Sequence, residues 1–291
     1  MFQILQRTCT SLLIFSSCLL LATAESVDAE QSRIVTLGGS ATEIVFALGM
    51  GDSVIGSERS STYPRAVAKL PSVGYVRAIS AEGVLALEPS MIIATSDLGP
   101  RTAVQKLQAA RVEFELVSAP ADIESLYFGI RHIGIVLDRT VQAEALIGEL
   151  QAKYETLQLP AESPRALFFM QSGSHSGVLP AAGKGTKAEA FIKLSGGHNA
   201  ITTHFGYKAI SPEALLALDP DIIIIGVQEG SAATLDEVVA KQSAQPIWRN
   251  LRAVREGHLV AVPLGEALSF GPRLVDALHD ANPHFVKSVA D

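Results

Sequence analysis

The sequence predicts an α/β protein of two Rossmann-like lobes joined by a single long α-helix. Three observations predict it: an internal repeat, short apolar runs of strand length within each copy, and one uninterrupted helical segment between the copies. Residues 79–93 read ISAEGVLALEPSMII, and residues 210–224 read ISPEALLALDPDIII. Nine of these fifteen positions are identical, at a fixed offset of 131 and without a gap. Just upstream, GYVRA at 74–78 is matched by GYKA at 206–209, one residue shorter. The period is too long for a solenoid and fits a chain built from two similar units.

Each copy has a local physical logic. Ser80 and Ser211 are suited to cap a helix, and Glu82 and Glu213 follow two residues on, near the positive helix end. Pro212 suits the first helical position, where its missing N–H costs nothing. Pro89 and Pro220 end both helices after about two turns. The runs 91–94 (MIIA) and 222–225 (IIII) are typical of strands buried on both faces of a parallel sheet. Residues 33–37 (RIVTL) and 166–170 (ALFFM) read as the opening strand of each half.

Between the halves, residues 138–157 contain no proline and a single glycine, Gly148. Val141, Ala145, Leu146 and Leu150 recur at helical spacing. The resulting division is an N-terminal lobe at 33–137, a connecting helix at 138–158, and a C-terminal lobe at 164–291. A helical linker predicts a stiff hinge with modest closure.

The N-terminus is a separate signal. Arg7 is the only charged residue among the first 24, an apolar stretch runs from Leu12 to Leu21, and Ala22-Thr23-Ala24 follows. These are the three parts of a secretory signal peptide, with cleavage expected after Ala24. The apolar stretch is well short of the roughly 20 residues a spanning helix needs. Both cysteines, Cys9 and Cys18, lie in this segment. The mature chain is therefore expected to carry no disulfide and no thiolate chemistry.

Composition excludes further classes. The chain has 291 residues, 48% hydrophobic and 18% charged, enough for a sizeable core. Its net charge is -7, with no run of Lys or Arg, which argues against nucleic acid. Gly183-Lys184 has the wrong spacing from Gly177 for a phosphate loop, and Gly185 stands where Ser or Thr is needed. The Gly173–Gly177 stretch imitates a nucleophile elbow but holds His175 at the nucleophile position. No catalytic constellation emerges, so an exported enzyme is the weakest reading.

Export, two matching lobes and a connecting helix resemble the helical-backbone class of periplasmic binding proteins, which serve importers of haem, cobalamin and iron-siderophores. The resemblance spans about residues 33–288. Four stretches are similar to the haem-binding branch: 38–45 (GGSATEIV), 70–77 (LPSVGYVR), 181–186 (AAGKGT) and 205–207 (FGY). It implies a ligand cleft between the lobes, a periplasmic location, a monomer, and delivery of haem to an ABC permease dimer. Cobalamin or a ferric siderophore is the alternative ligand.

The resemblance implies that Tyr75, in its Gly-Tyr-x-Arg stretch, is the axial ligand to haem iron. A phenolate oxygen is a hard donor that suits ferric iron, and tyrosine is a known axial ligand. Arg77 is the expected partner of the phenolate or of a propionate, since a guanidinium matches carboxylates. For the second face of the haem the candidates are His175 and Tyr207, and a five-coordinate site with Tyr75 alone stays open. Arg59, Arg65 and Arg273 are further propionate candidates. The resemblance also implies that Glu82 and Glu213, equivalent in the repeat, dock the two permease subunits. A two-fold repeat facing a dimeric permease gives that symmetry a reason.

Overall fold

In a computed structural model, residues 32–171 and 179–290 are described. The first half runs β1 (Ile34–Leu37), α1 (Gly39–Ala47), β2 (Val54–Ser57), β3 (Gly74–Tyr75), β4 (Ala78–Ile79), α2 (Ala81–Leu85), β5 (Met91–Thr95), α3 (Arg101–Ala109), β6 (Glu113–Val117), α4 (Ile123–Val136) and α5 (Thr140–Tyr154). The second half runs β7 (Arg165–Met170), β8 (Pro180–Ala182), α6 (Lys187–Leu194), β9 (His198–Asn199), β10 (Tyr207–Ala209), α7 (Pro212–Leu218), β11 (Ile222–Val227), α8 (Leu235–Ser243), α9 (Arg252–Arg255), β12 (Leu259–Pro263), α10 (Leu264–Ser269) and α11 (Leu274–Lys287).

Each half is organised on its own sheet. The first is a parallel sheet in the order β2-β1-β5-β6, with Ile34 beside Met91. The second has the order β10-β8-β7-β11-β12, with Ile222 beside Ala166. There β7, β11 and β12 are parallel, β8 runs antiparallel to β7, and β10 runs antiparallel to β8. The central strands β1, β7 and β11 are almost wholly buried, which is why they read as unbroken apolar runs.

The repeat is visible as two equivalent capped helices. The Ser80 hydroxyl accepts from the Gly83 N–H at 3.0 Å, and the Ser211 hydroxyl accepts from the Ala214 N–H at 3.2 Å. Pro212 occupies the first turn of α7, and Asp219, in the left-handed region, ends it just before Pro220.

The segment between the halves departs from the expected helix over 138–158. Helix α5 begins at Thr140, because Asp138 adopts a φ of 53° and breaks the chain from α4. It ends at Tyr154. Its buried face is Ala143, Ile147 and Leu150, whereas Val141 stands exposed. The helix packs on α4 and α11, so the face it buries is set by those neighbours rather than by its most apolar stripe.

The two halves do not have wholly separate cores. Ile44 and Val45 from α1 and Leu48 just after it belong to the same apolar cluster as Phe168 from β7, Phe270, and Leu274 and Leu278 from α11. Two smaller clusters fill the remaining faces of the two sheets.

Candidate functional site

A cleft of about 500 Å³ lies between the halves and is lined by both. Its floor is built from the carboxyl ends of strands. Gly38 follows β1, Thr95 ends β5, Met170 ends β7, and Gln228 follows β11. In the first sheet β1 and β5 are neighbours whose connections leave in opposite directions. In the second the same holds for β7 and β11. Such switch points leave a crevice at the strand ends where parallel α/β sheets receive ligands.

The first half presents Tyr75 and Arg77 on a hairpin. Strands β3 and β4 pair Tyr75 with Ala78 and Gly74 with Ile79, so Val76 and Arg77 form the two-residue tip. Gly74 has a φ of 116°, and a Cβ there would meet the Ala78 carbonyl at 2.9 Å. A residue other than glycine would spoil the hairpin. Val76 is buried and anchors the tip, while its carbonyl accepts from the Gly99 N–H at 2.8 Å. Tyr75 and Arg77 are thereby left exposed to the cleft.

Arg59 arrives beside them from the loop after β2. Its N–H donates to the Gly74 carbonyl at 2.7 Å, and its guanidinium lies 5.8 Å from the Tyr75 ring centroid, a cation–π approach. The buried Glu58 shapes that loop by accepting from the Ser60 N–H and the Ser61 hydroxyl, each at 2.7 Å. Among the described residues neither the Arg59 nor the Arg77 guanidinium forms an ion pair.

The second half answers with Tyr207 and the start of α6. Tyr207 lies on β10 opposite Ala182, after Gly206 with a φ of 73°. Burial pushes the Tyr207 hydroxyl up from its ordinary pKa, against the pull of the Ala188 backbone, the Thr186 side chain and the Arg77 charge, while Tyr75 adds a smaller upward push. Tyr75, Arg77 and Tyr207 therefore share one electrostatic neighbourhood. Thr186 caps α6 by accepting from the Glu189 N–H at 3.1 Å. Gly183 just before it lies against His204, whose Cδ2 would be 2.6 Å from a Cβ, so this loop also requires glycine.

Other expected residues fall elsewhere. Arg273 is not a free cation of the cleft. It donates to Glu43 at 2.8 and 3.2 Å and to Glu266 at 2.9 Å, and its guanidinium lies 3.8 Å from the Tyr63 ring centroid. Burial opposes its charge, but the bonds and charges of Glu43, Glu266 and Glu229 carry its pKa above the ordinary value. A guanidinium so matched is not available to a propionate. Arg65 sits in an exposed 3-10 turn outside the cleft lining. His175 lies outside the described residues. Glu82 and Glu213 are both exposed, each at the second position of its capped helix. Glu82 pairs with Lys106 of α3 at 2.7 Å, and that bond holds its carboxyl below the usual range. Glu213 is lowered by its own backbone N–H and by Ser211.

The cleft also holds three charged residues that sequence reasoning missed: Lys187, Asp97 and Glu229. Lys187 did leave a signal. A cation in the first turn of a helix opposes the helix dipole, and such a choice against local preference points to a function.

Known proteins resemble this chain along most of its length. The family described as periplasmic binding protein matches residues 34–264. The structure of the periplasmic heme-binding protein BhuT in complex with two hemes is 30% identical, covers 88% of this chain and 98% of its own, and has a TM-score of 0.75. A periplasmic heme-binding protein from Pseudomonas aeruginosa is 33% identical, with 88% and 93% covered and a TM-score of 0.70. A cobalamin-binding protein of Halobacterium salinarum is 27% identical over 267 residues, 88% of this chain and 70% of that protein.

Proposed function

The chain belongs to the periplasmic binding protein family, and from that premise we propose that it captures haem in the cleft between its lobes and delivers it to an ABC permease dimer. The observation that carries this reading is the hairpin of Tyr75 and Arg77, with Arg59 beside the tyrosine ring and neither guanidinium in an ion pair among the described residues. It offers ferric iron one hard oxygen donor and offers the ligand's carboxylates two cations within the same wall.

The chemistry follows from these groups. A phenol titrates near 10 in water, so binding has to favour its anion. The iron supplies most of that preference when haem arrives, and Arg59 and Arg77 add positive charge nearby. The same arginines suit propionates in bidentate fashion. Tyr207 faces Tyr75 from the other half and is the described residue best placed to close the second face, with His175 the further candidate. The reading involves no catalysis and no covalent step. It takes the mature chain to be a periplasmic monomer, released by cleavage after Ala24.

A second reading keeps the class and changes the ligand to cobalamin, as the similarity to cobalamin-binding proteins suggests. An absorption titration separates the two. Ferric haem added to the purified mature chain is expected to give a saturable Soret change with the charge-transfer bands of a tyrosinate ligand. Tyr75→Ala is expected to lose those bands and to bind at least about tenfold more weakly, a change of about 1.4 kcal/mol. A response that ignores Tyr75 moves the ligand to Tyr207 or His175. Saturable binding of cobalamin with none of haem replaces the reading by the second one.

Delivery to the permease is assigned to Glu82 and Glu213. Reversing both charges, with Glu82→Lys and Glu213→Lys together, is expected to abolish uptake in reconstituted vesicles and to leave haem affinity unchanged. A loss of haem affinity in that variant refutes the docking role.

A further inference from the structure

We propose that Lys187 is the carboxylate anchor of the second half, so that a ligand with two acidic arms is held from both walls of the cleft. The inference rests on the haem reading and deepens it, because it makes the ligand's propionates the feature that the cleft selects.

Four observations carry it. Lys187 lines the cleft. Its ammonium is partly buried, and its one hydrogen bond among the described residues goes to the Ser269 carbonyl at 3.2 Å, 5.6 Å from the Phe270 ring centroid. No carboxylate lies within ion-pair distance among the described residues, which is unusual for a cation removed from water. Finally, the charges that act on Lys187 come from across the gap, Asp97 attracting and Arg77 repelling.

The balance of these forces describes an unfinished site. Burial holds the Lys187 pKa below its ordinary value, and the Arg77 charge adds to that. Asp97 offsets only part of it, since it acts on Lys187 by charge alone, from beyond ion-pair distance. The position in the first turn of α6 adds the unfavourable end of the helix dipole. An anion between Lys187 and Arg77 would turn their mutual repulsion into two attractions. One carboxylate then meets Lys187, and the other meets Arg77 and Arg59. A ligand whose side arms are neutral amides would gain nothing from either wall, so Lys187 is a specificity-determining residue.

The test compares ferric haem with its dimethyl ester, in which both propionates are capped. Each is titrated into the full mature chain, Lys187→Met and Lys187→Arg. The wild type is expected to prefer the diacid by about tenfold or more, in line with a charge-assisted bond to each arm. Lys187→Met is expected to lose at least fivefold in diacid affinity and to bind the diester as the wild type does. Lys187→Arg is expected to keep the preference. Unchanged diester binding and an unchanged circular dichroism spectrum show that the variants are folded. If Lys187→Met discriminates as the wild type does, this inference fails and the haem reading stands. If the wild type binds neither porphyrin, the haem reading fails and takes this inference with it.

Discussion

Replacing Arg273 by methionine is expected to destabilise the fold by about 3–5 kcal/mol, the range for removing one partner of a buried ion pair. Arg273 is 12% exposed in its side chain and Glu43 only 4%. Without the guanidinium, both Glu43 oxygens lose their charged donor, and Ser269 at 3.0 Å remains as the partner of one. The nearby Glu266 and Glu229 then face Glu43 with no cation between them.

The loss carries a pH signature. Burial already raises the Glu43 pKa against the pull of Arg273 and Ser269. Removing Arg273 raises it further. A carboxyl with a raised folded pKa binds more protons folded than unfolded, so its stability contribution falls as pH rises. The deficit of Arg273→Met is therefore complete above the folded pKa and shrinks as pH falls toward the unfolded value. Denaturant unfolding at neutral and mildly acidic pH checks this. The double variant with Glu43→Gln is expected to recover part of the loss, since no charge is then stranded. A deficit that does not change with pH would mean that Glu43 is not the residue left exposed to the penalty.

Gly38→Ala is expected to cost about 2–5 kcal/mol, combining backbone strain and overpacking. Gly38 has a φ of 123°, where L side chains are strained, and its Cβ would lie 2.8 Å from the Thr95 Cγ2. It also lines the cleft. Thr95 cannot move freely, because its hydroxyl donates to Asp97 at 2.6 Å and lies 3.3 Å from the Leu37 carbonyl. The substitution is thus expected to lower the melting temperature and, on the proposed function, the affinity for haem. Adding Thr95→Ala removes the contacts with Oγ1 and Cγ2 but leaves the residue 95 Cβ at 3.0 Å and the φ strain, so it should restore only part of the stability. Full restoration would show that the backbone at Gly38 is not strained.

Much of this was legible in the sequence because it is local. Serine caps, a proline in the first turn and apolar strand runs act within a few residues, and the repeat shows each of them twice. The repeat also pairs Tyr75 with Tyr207, and the two line one cleft. What was not legible depends on partners far along the chain. Arg273 reads as a cation until Glu43, 230 residues away, is brought to it. The buried face of α5 is chosen by α4 and α11, so its own apolar pattern misdirects at Val141. Lys187 leaves only the faint signal of a cation in a helix's first turn, and its place in the cleft, with no ion pair among the described residues, is what sets it apart.

The shared apolar cluster has a mechanical consequence. Helix α1 of the first half is packed into the same close-packed apolar interior as Phe270 and α11 of the second. Spreading the halves would wet that surface, at about 25 cal/mol for each Å² uncovered. Interiors packed like crystals yield little to such a pull. Widening the distance from the tyrosine hairpin to the lysine on the far wall is therefore opposed by the apolar surface it would uncover. On the proposed function, the cleft acts as a gauge that favours a molecule whose own span matches the gap between its walls.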